Sequence, residues 1–185
     1  MSRDPLADFV QRLEEIVSRG TADEPALLSQ VGQAMATLVA ADEWLPEPFA
    51  RPDAAQYRQY LLHADAAERF SVVSFVWGPG QCTPIHDHGT WGVVGMLRGA
   101  EVSTSFTQAA SGMKEEMEFA LNPGDVMLLS PAAGDIHRVR NAYTDRVSIS
   151  IHAYGANIGK QTRHVFDPGS GERKAFVSGY SNAPA

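Results

Sequence analysis

Apolar positions recur at helical spacing through the first fifty residues and give way to short β-type runs after Tyr57. Leu6, Phe9, Val10, Leu13, Ile16 and Val17 make a one-sided stripe that opens on Asp4-Pro5, an N-cap and first-turn pair, and stops at Gly20. This spacing predicts a helix. A second stripe, Leu27, Leu28, Val31, Met35, Leu38 and Val39, predicts another from about Pro25 to Ala41. The pair reads as a lid over the remaining fold or a buttress against it.

From Tyr57 onward the runs are rich in Val, Ile, Phe and Thr and are cut by Gly, Pro, Asn and Asp. Strands are expected at Tyr57–Leu62, Phe70–Trp77, Trp91–Leu97, Glu101–Gln108, Met117–Leu121, Asp125–Leu129, Ile136–Asn141 and Val147–Tyr154. Many short strands with such punctuation mean a sandwich or barrel, so the fold class is mainly β with two N-terminal helices. The tail after Phe166 is expected to hold turns and a final covering strand.

Composition narrows the classes. A chain of 185 residues with 44% hydrophobic and 20% charged residues is expected to form one domain over residues 1–185, a helical cover in 1–50 and a barrel in 55–180. The longest apolar runs, such as Val72–Trp77, are far short of a bilayer span. Met1-Ser2-Arg3-Asp4-Pro5 lacks the basic and apolar start of a secretory signal, and Cys82 is the single cysteine, so the expected location is cytoplasmic. A net charge of −7 without clustered Lys and Arg argues against nucleic acid and for a small-molecule ligand.

Candidate chemistry concentrates in two segments. The first runs from Gly80 to Gly99 and carries His86-Asp87-His88; on a strand, residues two apart share a face, so both imidazoles can point into a barrel while Asp87 points away. The second runs from Pro123 to Asn141 and places His137 after a Gly-containing turn. Neutral imidazoles suit Fe, Zn, Cu or Ni. Ser150, His152 and Tyr154 also alternate along one strand face, where they can form a hydrogen-bonded relay or a satisfied core polar pair. His63 and His164 have no partner at metal spacing, and Cys82 is expected to be a small buried apolar residue. Trp77 and Trp91 can line a pocket or pack a core.

The two histidine segments resemble the two motifs of the cupin superfamily, which implies a double-stranded β-helix, or jelly-roll, barrel. Where most cupins place a glutamate ligand shortly after the second histidine, this chain has Trp91-Gly92-Val93, so the expected ligand set is His86, His88 and His137 with no carboxylate. Such a site leaves a dication uncompensated and favours an anionic ligand such as a thiolate. Within the cupins the chain resembles the cysteine dioxygenase family, which oxidises a thiol to a sulfinic acid with dioxygen and one mononuclear Fe(II). The resemblance implies a Ser150-His152-Tyr154 triad with Tyr154 nearest the metal. Animal-type members hold the substrate carboxylate with an arginine on the early strand; here that register holds Gln59, as in the glutamine-type bacterial branch that includes 3-mercaptopropionate dioxygenases. There an arginine of the C-terminal segment takes part in carboxylate binding, matching Arg163, with Arg58 as the rival on the opposite face of the strand. The family's cysteine–tyrosine crosslink is expected to be absent, because its cysteine position falls at about Gly92. The implied partners are a small thiol acid (3-mercaptopropionate, cysteine or mercaptosuccinate) and O2. Two other readings stay open: a Zn or Mn isomerase-type cupin, and a non-catalytic metal-dependent ligand sensor. The sequence leaves open the oligomeric state and whether Ser130-Pro131 is cis.

Overall fold

The computed structural model describes residues 4–20 and 23–182; the Met1-Ser2-Arg3 start lies outside them. Asp4 accepts from the backbone N–H of Leu6 at 3.0 Å and of Ala7 at 3.3 Å, and α1 runs Pro5–Ser18. Asp23 caps α2, Glu24–Leu38. This helix stops at Leu38 rather than Ala41: the Trp44 indole N–H donates to the Leu38 carbonyl at 2.9 Å and closes the last turn.

Two antiparallel sheets make up the rest. One has the order β1 (Arg58–Ala64), β2 (Ser71–Trp77), β9 (Ser148–Tyr154), β4 (Gly92–Arg98), β7 (Val126–Leu129). The other runs β11 (Arg173–Phe176), β10 (Arg163–Phe166), β3 (Ile85–His86), β8 (His137–Asn141), β5 (Glu101–Ala109), β6 (Gly112–Leu121). Between them Val73, Phe75, Trp77 and Tyr154 pack on Val139 and Ile158. This is the double-stranded β-helix barrel expected of a cupin.

Strands β2 and β9 are buried along their whole length because they are covered twice. Their second face, with Val72, Val76, Ile149, Ile151 and Ala153, packs on Phe9, Leu13 and Ile16 of α1 and on Val31 and Met35 of α2. The helices are therefore a buttress on the outside of the five-stranded sheet, and of the two readings offered by the sequence the lid is set aside. Their apolar stripes are matched to an apolar sheet face, and that match is worth more than covering a polar mouth.

Differences from the expected strands are local. β6 begins at Gly112, not Met117, because its first half is an exposed, charged edge whose only structural signal is its pairing with β5. β3, β10 and β11 are too short to carry a periodicity of their own. Among the described residues no peptide bond is cis, so Ser130-Pro131 is trans.

Candidate metal centre and its pocket

His86 lies on β3 between two strands, in register with His137 of β8 on one side and Val165 of β10 on the other. His88 follows in the adjoining loop. One ligand nitrogen from each of the three rings falls within 4.8 Å of the others, and all three rings are buried. Their Nδ1 atoms have other partners: Pro84 O at 3.1 Å from His86, Asp135 Oδ2 at 3.2 Å from His88, and Ser103 Oγ at 2.9 Å from His137. That leaves Nε2 of each ring for a common centre, the arrangement in which neighbours fix tautomer and ring angle.

Burial keeps the rings neutral. It pushes His86 down to about 4, and it holds His88 and His137 well below the ordinary imidazole value, with the neighbouring histidines adding to the effect. Three neutral nitrogen donors from two chain segments fit a single divalent transition metal. Among the described residues these three are the cluster with metal-ligand spacing.

The relay residues are brought together on the same barrel interior. Tyr154 Oη lies 2.8 Å from His152 Nδ1, and His152 Nε2 lies 2.8 Å from Ser150 Oγ, which also accepts from the Trp77 indole N–H at 3.1 Å. Desolvation lowers His152 to about 3 and raises Tyr154. The Tyr154 ring stacks at 5.4 Å on His88, so the relay ends beside the metal centre. Gly92 pairs with Tyr154, and a Cβ there would stand 3.1 Å from the tyrosine ring; the residue at that position has no thiol.

Gln59 and Arg163 border the same cavity, about 40 Å³, with the histidines and Tyr154. That is room for about three waters, which restricts an occupant to a small molecule. Gln59 Nε2 donates to Ser178 Oγ at 3.0 Å and to Gly179 O at 2.9 Å. Arg163 Nη2 donates to the same Ser178 Oγ at 2.8 Å, its guanidinium sits 4.8 Å over the Phe176 ring, and its Nε is buried with no partner. Arg58, on the other face of β1, pairs instead with Asp53.

His63 stacks on Phe70 and His164 pairs with Asp87, both away from the centre. Cys82 corrects an expectation: it is exposed, not buried. Its neighbour Thr83 turns inward to pair with Val139, and alternation leaves the thiol outside. Sequence reasoning missed Asp135, Ser103 and Ser178. Asp135 was traceable, since it precedes His137 by two positions; Ser103 and Ser178 carry no local signal.

A model of the family described as cysteine dioxygenase type I matches residues 1–168. Cysteine dioxygenase type 1 of Danio rerio is 24% identical over 177 residues, covering 92% of this chain and 83% of the relative. The Homo sapiens protein is 25% identical over 174 residues, covering 91% and 82%. Among solved structures, a protein from Thermus thermophilus matches with TM-score 0.47 at 21% identity, covering 60% of this chain and 92% of that one.

Proposed function

The chain belongs to the cysteine dioxygenase type I family, and we propose that it is an Fe(II)-dependent dioxygenase of the glutamine-type branch that converts a small thiol carboxylic acid, 3-mercaptopropionate first, to its sulfinic acid. One thiol and one O2 give one sulfinic acid, both oxygen atoms ending on sulfur. The observation that carries the substrate class is Arg163: a buried guanidinium with an unpartnered Nε, bordering the same small cavity as the three histidines. A donor fork in that position calls for a carboxylate.

The cavity lining contains neither Asp nor Glu. A substrate ammonium would find no carboxylate partner there, which favours 3-mercaptopropionate over cysteine. Held by His86, His88 and His137, Fe(II) would supply the centre at which thiolate sulfur and dioxygen meet. The three ligands carry no charge of their own to offset the metal, and the thiolate provides it. Arg163 fixes the far end of the substrate, Gln59 lines the same wall, and Tyr154 holds a proton at Oη beside His88.

The test is oxygen consumption by anaerobically prepared, Fe(II)-loaded protein with 3-mercaptopropionate, cysteine and mercaptosuccinate in parallel, the products being weighed for a gain of two oxygen atoms. Fastest turnover of 3-mercaptopropionate supports the full reading, and preference for cysteine keeps the dioxygenase but removes the substrate assignment. No uptake at full iron occupancy sinks the thiol reading and returns the barrel to the isomerase or sensor classes.

A further inference from the structure

Glu101 is fully buried, with 0% exposure, and no donor meets either carboxyl oxygen in good hydrogen-bond geometry, although the Ser150 hydroxyl and the Trp77 indole are near enough to act on it. It lies on β5 two residues before Ser103, whose hydroxyl meets His137, so strand alternation turns Glu101 into the same barrel interior. Its register neighbours are Asn141 of β8 and Leu121 of β6. The polar groups that face it are Ser150 of β9 and Trp77 of β2, and no cation acts on it among the described residues. Desolvation pushes this carboxyl up to about 7, with Ser150 and Trp77 opposing.

We propose that Glu101 is a positioning residue at the buried end of the Ser150–His152–Tyr154 relay, and that its protonation state sets the direction in which the relay's hydrogen bonds run. The proposal rests on Tyr154 facing the substrate pocket. His152 is a neutral ring and carries one proton, on either nitrogen. With Glu101 ionised, the Ser150 hydroxyl donates to the carboxylate, His152 Nε2–H donates to Ser150, and Tyr154 spends its proton on Nδ1. Tyr154 then turns a lone pair to the pocket. With Glu101 protonated, its O–H donates to Ser150, Ser150 donates to Nε2, Nδ1–H donates to Tyr154 Oη, and the phenol proton is free to meet an anionic substrate. No bond to carbon or sulfur changes; each donor keeps or passes one proton along the chain.

The experiment is an NMR titration of the full-length chain loaded with diamagnetic Zn(II), following 13C-carboxyl glutamate and 15N-imidazole signals in the wild type and in Glu101→Gln. In the wild type one glutamate should titrate near 7, and the His152 nitrogens should exchange donor and acceptor character at the same midpoint. Glu101→Gln, whose amide donates to Ser150 but cannot ionise, should hold His152 in the second arrangement at every pH. In the iron-loaded enzyme kcat/KM should fall about tenfold between about pH 6 and pH 8, and the Gln variant should stay within about twofold. His152 signals that ignore the carboxyl titration overturn the proposal, and the wild-type titration decides this even if the variant does not fold. Because the NMR arm needs no turnover, absence of thiol oxidation would sink the functional reading without touching this one.

Discussion

A buried arginine with an open donor and a buried carboxyl are the two side chains most exposed to test. Arg163→Lys keeps the charge but loses the fork, and it should raise KM for 3-mercaptopropionate by about 10- to 100-fold, the worth of one or two charge-assisted hydrogen bonds. Metal content should be unchanged, because the ligands are His86, His88 and His137; equal loss of iron by elemental analysis would contradict the division of labour. Glu101 carries a second, thermodynamic signature. Its folded pKa, about 7, is raised above the ordinary carboxyl value of 4.5, so the folded state holds a proton that the unfolded state releases, and stability is lost as pH rises through that window. Glu101→Gln removes this cost. The variant should gain on the wild type by up to about 3 kcal/mol in urea unfolding between pH 4.5 and 7, and parallel curves would show that Glu101 is not buried as a titrating acid.

At the level of elements, α2 packs closely on β4 at Gly95. A Cβ on Gly95 would stand 2.6 Å from Met35 Cγ and 2.8 Å from Val39 Cγ1. Methionine can swing aside, but the stiff valine cannot, so the helix must lift. Gly95→Ala should cost about 1–3 kcal/mol in denaturant unfolding while leaving zinc or iron stoichiometry intact, since the site lies on the opposite face of the sheet. A change in metal content would mean that the buttress also shapes the centre. The helices themselves were readable from their stripes, caps and the Gly20 stop. Their ends were less so: α2 stops where Trp44 reaches back to it, a contact six residues away that no periodicity announces.

For the whole molecule, a metal held from β3, the following loop and β8 ties together segments up to 51 residues apart in the chain, from His86 to His137. Loading with Fe(II) or Zn(II) at about a hundred times its dissociation constant should add about 2.7 kcal/mol, or about 5–10 °C in Tm for a chain of this size. His137→Ala should show no such rise, and an equal rise in both proteins would place the metal elsewhere. The histidine pair, the third histidine and the Ser150-His152-Tyr154 alternation were legible in the sequence because strand period alone puts such residues on a shared face. The barrel class was legible for the same reason, from short β-type runs between turn residues. Only the tertiary structure decided what faces those residues: that Ser103 and Asp135 orient two of the rings, that Ser178 meets both Gln59 and Arg163, that Cys82 lies outside, and that Glu101 is buried near Ser150 and Trp77. Period fixes a side chain's face, a property of the strand itself. Partners are set by which strands the fold brings together across long loops, and one sequence read in isolation carries no record of that pairing.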